Sequence, residues 1–231
     1  GVGTGGKSAI FQGQTNGGFV VDFGPTSKHD AAGIVGWTAA PGKPALLTGV
    51  SNFEAEGAAG IPSVRIIQPN PQKQFTETHV LPGGTSTTGP LTVADVDSDG
   101  DLDLFVGGRT IPGRYPEPAD SKLYLNNDGT LELDKVNAIT FKKLGLVSGA
   151  VFGDLLDNDG DADLAVALEW GPVRVFRNNA GKFTDITAAL GLDAHTGWWN
   201  SVTLGDLDSD GRLDLVAGNW GLNSKYQQSY D

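Results

Sequence analysis

Aspartates recur in this chain at spacings that suit a hard cation. In VADVDSDGDLDLFVGG (93–108) they stand at Asp95, Asp97, Asp99 and Asp103, and in LGDLDSDGRLDLVAGN (204–219) at Asp206, Asp208, Asp210 and Asp214. The shared pattern is D-x-D-x-D-G-x-x-D. Carboxylates at positions 1, 3, 5 and 9 of a tight loop are expected to converge on one point. The glycine at position 6, Gly100 or Gly211, permits the reversal, and the backbone carbonyl at position 7, of Asp101 or Arg212, can add an oxygen. Six or seven oxygens around one ion is calcium chemistry, whereas magnesium prefers a rigid octahedron and keeps its water. A third stretch, FGDLLDNDGDADLAVAL (152–168), is offset. Asp157, Asp159, Gly160, Asp161 and Asp163 fit positions 3, 5, 6, 7 and 9, but Leu155 stands at position 1 and Asp154 lies one residue before it. Either a bulge brings Asp154 in, or the third site is weaker.

The competing reading is a solvated acidic turn, since Asp and Gly are turn residues in any case. Four like charges within nine residues repel without a cation, and the spacing recurs, so two calcium sites and a third at the offset loop are expected. An EF-hand is excluded. Its bidentate Glu at position 12 would fall on Val106 or Ala217, and the flanks LTVAD and LDLFVGG read as strands. The three loops hold 14 of the 28 acidic residues, and three Ca2+ at +2 each would move the net charge from -12 to -6.

The elements that position these loops form an internal repeat. A fourth, acid-free copy is GWTAAPGKPALLTGV (36–50), with Trp37, Ala39, Pro41 and Ala45 at the ligand positions, and it should bind nothing. The loop copies near 36–50, 93–108, 152–168 and 204–219 alternate with four hairpin patterns at 8–23, 63–80, 121–134 and 173–187. Each hairpin has two β-rich runs around a turn of Asn, Asp, Gly or Pro. A unit of 50–60 residues thus holds about four short strands, the content of a propeller blade. The expectation is an all-β chain, one β-propeller domain over 1–231, with a short helical stretch only at DITAALGL (185–192). Pairing residues 8–23 with 203–217 would close a ring of four blades. The alternative is part of a larger propeller, which could close by homo-oligomerisation.

The acidic loops and the D-L-x-V-x-G strands after them resemble FG-GAP/VCBS repeats, the calcium-bearing blades of integrin α-subunit propellers. With RNNAGKFTD (177–185), GWWNS (197–201) and GNWGLNS (218–224), the chain looks most like bacterial cartilage-acidic-protein-like secreted proteins. The resemblance covers most of residues 30–224. It implies loop-bound Ca2+ in a secreted, periplasmic or surface protein used for protein or carbohydrate binding and adhesion.

Composition narrows the alternatives. A net charge of -12 disfavours nucleic acid and anionic membranes, whose affinity comes from clustered Lys and Arg. No apolar run is long enough to span a bilayer. Without cysteine there is no thiol catalysis or disulfide. The opening GVGTGGKSAI satisfies the P-loop spacing Gly1-x4-Gly6-Lys7-Ser8, but the residues after it read as a strand and hairpin turn rather than the helix that would hold phosphates. Glycine is about 15% of the chain against an average near 7%, so such matches arise by chance.

His29, His79 and His195 are scattered, and paired carboxylates occur only in the metal loops, so no catalytic residues are assigned. Trp170, Trp198, Trp199 and Trp220, with Tyr115, could share a face that stacks on a sugar ring or a peptide side chain; otherwise they pack between blades. Three roles stay open: a non-catalytic calcium-stabilised binding module, the propeller of a polysaccharide-acting enzyme, or a structural exported repeat.

Overall fold

The structure, a computed structural model, describes residues 5–15, 17–53, 61–72 and 74–221. It is all-β. A two-stranded sheet, β1 (Ala9–Gly13) with β2 (Phe19–Phe23), precedes three four-stranded antiparallel meanders. The first is β3 (Asp30–Ala40), β4 (Lys43–Ser51), β5 (Val64–Pro69) and β6 (Phe75–Leu81). The second is β7 (Thr88–Ala94), β8 (Asp103–Gly108), β9 (Lys122–Asn127) and β10 (Thr130–Leu133). The third is β11 (Leu146–Gly153), β12 (Asp163–Gly171), β13 (Arg174–Arg177) and β14 (Thr184–Asp185). A last pair, β15 (Gly197–Gly205) and β16 (Asp214–Asn219), joins the third sheet through a short β12–β15 pairing at Glu169–Trp198 and Gly171–Gly197.

These sheets are propeller blades. The first strands β3, β7, β11 and β15 lie side by side along one axis, and the later strands of each meander run outward. Each first strand carries a register shift against the second, at Ala31/Gly33, Thr88/Leu91, Val147/Gly149 and Trp199/Ser201. Glycine at the first three bulges lets neighbouring backbones touch. A Cβ on Gly89 would lie 2.9 Å from the Val147 carbonyl oxygen, and one on Gly149 2.9 Å from the Val202 nitrogen.

Strand alternation fills the seams between blades. On β8, Leu104 and Val106 face the first blade and pack with Trp37, Leu47, Val64 and Ile66. Phe105, between them, faces the third blade and packs with Phe141, Leu164 and Phe176. Phe105 meets Phe141 edge-on at 5.3 Å between ring centroids. Being buried on both faces, β8 and β12 read as continuous apolar runs. Each fully buried Leu, Val or Phe contributes about 1.5–3 kcal/mol.

Two expectations are corrected. The N-terminal hairpin does not complete the last blade: β1 and β2 pair only with each other among the described residues, and β16 pairs only with β15. The short link after β2 explains this. Ser27 exchanges backbone hydrogen bonds with Gly5 and Gly6, which holds the start of the hairpin near the start of the first blade, and Ile10 and Gln12 face Leu46 and Phe75 across an open cleft. The helical stretch expected at 185–192 is instead a run of turns ending in a 3-10 turn at Leu192–Ala194. The turn comes after Asp185, whose Oδ1 accepts from the Thr187 amide and hydroxyl.

The opening glycines lead into a strand. Residues 1–4 lie outside the described residues, but Lys7 and Ser8 run directly into β1, so no helix N-terminus faces Gly5–Gly6.

Candidate functional site

The three acidic loops each join a first strand to a second strand: β7 to β8, β11 to β12 and β15 to β16. They therefore share one end of the propeller. Each loop makes two left-handed turns. Ser98, Asn158 and Ser209 have φ of 62°, 52° and 65°, and Gly100, Gly160 and Gly211 come next at 95°, 91° and 84°. Ser and Asn tolerate the first position, and glycine takes the second at little cost.

The first aspartate ties each loop together. Asp95 Oδ2 accepts the Gly100 amide at 2.9 Å, and Asp206 Oδ2 accepts the Gly211 amide at 3.0 Å. Asp154 Oδ2 accepts the Gly160 amide at 2.9 Å, so Asp154, not Leu155, is the structural counterpart of Asp95 and Asp206. The extra residue of the third loop is absorbed between them.

Carboxylate oxygens gather within 4.8 Å of one another in three groups: Asp95, Asp97 and Asp99; Asp154, Asp157 and Asp163; and Asp206, Asp208 and Asp210. Two oxygens in these groups, Asp97 Oδ1 and Asp154 Oδ1, are shielded from solvent and accept no hydrogen bond. Burial, then the nearby charge of Asp99, pushes the Asp97 carboxyl above its ordinary range. Crowded carboxylates with buried, unpartnered oxygens match the donor set of a hard divalent cation, which would relieve both the repulsion and the missing partner. These groups could hold a metal. In the third loop's group, Arg177 Nε stands 3.5 Å from Asp157 Oδ2, a cation already in part of the space.

The aspartate at position 9 has a task that its spacing does not announce: it binds backbone amides. Asp103 is fully buried and is not in the first group. Its Oδ2 accepts the Val96 amide and its Oδ1 the Asn126 amide, both at 2.8 Å. Asp163 repeats this with Leu155 at 3.1 Å and Asn178 at 2.8 Å, and also joins Asp154 and Asp157 in their group. Asp214 Oδ2 accepts the Leu207 amide at 2.8 Å and likewise stands outside its group. Burial pushes the Asp103 carboxyl up to about 6, against the pull of its two amide donors.

Position 7 also turns outward. The side chains of Asp101 and Asp161 accept the amides of Asp128 and Ala180 at the outer hairpin turns. Asp159 accepts the Asp161 amide and is not grouped with Asp154 and Asp157. The Arg212 amide donates to Asp210.

Sequence reasoning missed the asparagines that connect blades. Asn126 Nδ2 donates to the Ala39 carbonyl in the acid-free turn of the first blade, at 3.1 Å. Asn178 Nδ2 donates to the Val96 carbonyl in the acidic loop of the second blade, at 2.8 Å. Their signal was the repeated N-N-x-G of LNNDG and RNNAG, which looked like turn chemistry alone. In the acid-free copy, Trp37 fills the seam instead and its Nε1 donates to the Leu102 carbonyl at 2.6 Å.

The predicted aromatic residues meet at the opposite end of the blades. Trp170 ends β12, Trp198 begins β15 and Trp220 comes just after β16. Ring centroids are 4.9 Å apart for Trp170–Trp198 and 5.0 Å for Trp198–Trp220. Tyr115, from the connection between β8 and β9, accepts from Trp170 Nε1 and donates to Glu169. Arg109 pairs with the other Glu169 oxygen. Trp199 is next to Trp198 on β15 and so points to the other side of the strand, where its Nε1 donates to the His195 carbonyl at 3.1 Å.

Residues 156–217 match a family described as FG-GAP-like repeat. A stretch of 64 residues is 36% identical to cartilage acidic protein 1 of Xenopus tropicalis, covering 27% of this chain and 10% of that protein. The chain therefore spans only a small part of that relative's length. Among solved structures, a chain from the crystal structure of BBS1N in complex with ARL6DN, soaked with lead, aligns over 92% of this chain and 69% of its own, with a TM-score of 0.42 and 17% identity. No helix among the described residues is long and apolar enough to cross a membrane.

Proposed function

We propose that this chain is a calcium-stabilised, non-catalytic propeller module of an exported protein, used to bind a protein or carbohydrate ligand. The observation that carries the reading is the threefold recurrence of gathered aspartates at one end of the blades, two of them with a shielded oxygen that accepts no hydrogen bond. Calcium suits the all-oxygen, flexible loop set better than magnesium. Asp95, Asp97 and Asp99, then Asp206, Asp208 and Asp210, then Asp154, Asp157 and Asp163 would supply the carboxylates; the carbonyls of Asp101, Asp161 and Arg212 are further donors for the same loops. Extracellular calcium would keep such sites filled, which favours a secreted, periplasmic or surface location.

A binding role fits better than catalysis because the acid outside the loops that best resembles a catalytic group, Glu169, has one oxygen held by Arg109 and the other by Tyr115. Isothermal titration of the calcium-stripped protein with CaCl2 tests the reading. Three binding events, accompanied by a rise in melting temperature, are expected; no heat and no thermal shift would overturn it.

A further inference from the structure

We infer that the aromatic end of the propeller is a carbohydrate-binding platform, with Trp170, Trp198 and Trp220 as the stacking surface and Glu169, Arg109 and Tyr115 as its polar support. This deepens the proposed binding role and rests on it. Asp163 and Trp170 are seven residues apart on β12, so at about 3.3 Å per residue the platform lies about 23 Å from the acidic loops. It is a separate site from the metal loops.

The rings form a continuous row. Trp170 and Trp220 flank Trp198 at contact distance and are 36% and 43% exposed, while Tyr115, 45% exposed, extends the row on the Trp170 side. Beside it runs an open cleft of about 370 Å3 lined by Pro116, Pro118, Trp170, Pro172 and Arg174 among others. That volume lies within the range of about 300–1,000 Å3 usual for small-ligand sites.

The row is held in place before any ligand arrives. Glu169 is buried, and its two oxygens are clamped by Arg109 and Tyr115. Tyr115 in turn fixes the Trp170 indole through Nε1. Trp170 itself has φ of 63°, a left-handed backbone that a bulky residue adopts only when its surroundings impose it. Such conformations concentrate where a side chain must be presented in one orientation.

A pyranose ring suits this surface better than a peptide. The Trp170 indole nitrogen and the Tyr115 hydroxyl are already engaged with each other and with Glu169, so the exposed parts of Trp170 and Trp220 offer chiefly aromatic carbon, which attracts the polarised C–H groups of a sugar. The guanidinium of Arg174 lines the cleft but is held by Asp185, the Leu144 carbonyl and the Phe176 ring, so it contributes a fixed positive group rather than a free one. A peptide added as a β-strand would need a free sheet edge here. The edge that is open, β16, would take such a peptide along the blade toward the acidic loops rather than across the rings.

The test is a titration of the calcium-loaded protein, monitored by tryptophan fluorescence, with a β-linked glucose hexasaccharide, a galacturonate hexasaccharide and a proline-rich decapeptide. A saturable change with at least one hexasaccharide is expected, with Trp170→Ala and Trp220→Ala each weakening it at least tenfold and Trp199→Ala leaving it within twofold. Calcium-induced thermal stabilisation of each variant shows that it is folded. No saturable response to either sugar, binding of the peptide alone, or an equal loss in Trp199→Ala would overturn the proposal. Repeating the titration in EDTA separates the two readings. Sugar binding without a calcium shift would sink the calcium assignment alone, and a calcium shift without sugar binding would sink the platform alone.

Discussion

Asp103 Oδ1 accepts the backbone amide of Asn126 at 2.8 Å, and Asn126 then reaches across the seam to the Ala39 carbonyl of the preceding blade. Asp163 and Asn178 repeat the relay one blade further on, ending at the Val96 carbonyl. Position 9 of each of these two loops thus fastens the outer hairpin of its own blade, whose asparagine grips the blade before. A motif that looks like a metal loop in sequence is also a joint between blades.

Asp103→Asn replaces one accepting oxygen with a donor and leaves a buried amide without a partner. It should destabilise the fold by about 1–3 kcal/mol. Asn178→Ala should cost a similar amount by breaking the seam between the second and third blades. Urea unfolding measures both, and a loss below the error of the method in either would remove that link from the scheme.

Calcium removal should lower stability. At calcium 100-fold above Kd, one site contributes about 2.7 kcal/mol, which for a chain of this size is about 5–10 °C in melting temperature. Asp95→Ala and Asp206→Ala should each reduce the titrated stoichiometry by one. Because Asp154 takes the same place in its loop, Asp154→Ala should also remove one site; an unchanged stoichiometry would show the third loop to be empty in the parent protein.

Arg177 Nε stands 3.5 Å from Asp157 Oδ2, where it would compete with a bound cation. Removing that competitor should tighten calcium binding at the third loop, so Arg177→Ala is expected to lower its Kd severalfold while leaving the other two unaltered. Calorimetric titration resolves the three sites. A weaker third site in this variant would mean that Arg177 supports the loop instead.

The pH dependence of the calcium-free protein rests on Asp103, Asp97 and Asp163, whose carboxyls are all pushed up by burial, Asp103 to about 6 from an ordinary 3.8. The folded chain then binds protons more tightly than the unfolded chain. Stability in EDTA should therefore fall as pH rises from about 4 to about 6 and level off above. At Asp185 burial is outweighed by hydrogen bonds to Thr187 and Arg174, which hold its carboxyl low, so it acts oppositely and loses its contribution as pH drops below about 4. Saturating calcium favours the ionised carboxylates and should abolish the decline. Melting temperatures at about pH 4.5 and 6.5, with and without calcium, check the sign.

The repeat was legible because its signals are short in range. Alternating apolar runs, Asn-Gly turns and the glycine at position 6 depend on neighbours a few residues away, and they correctly indicated the order of loops and hairpins. Of the aspartates that the spacing marks in the first and last loops, positions 1, 3 and 5 gather and position 9 does not. Bulges spoil such counting: the third loop has one residue more than the others, and only the hydrogen bond from Gly160 shows that Asp154 fills the first position.

Other features depend on how the blades are set against one another. LDLVAG, which leads into β16, has nearly the pattern of LDLFVG at β8, yet β8 is buried throughout while Val216 and Leu213 are 41% and 37% exposed, because a blade packs on each side of β8. The same holds for Trp198 and Trp199, adjacent in sequence and parted by strand alternation into the aromatic row and the opposite side. By itself the sequence determined the strand order of the blades and their acidic turns, since both are written in spacing. Only the tertiary structure decided that the N-terminal hairpin stays beside the first blade, that Asp103 binds backbone, and that four distant aromatic residues meet, because these contacts join segments whose separation along the chain carries no local signal.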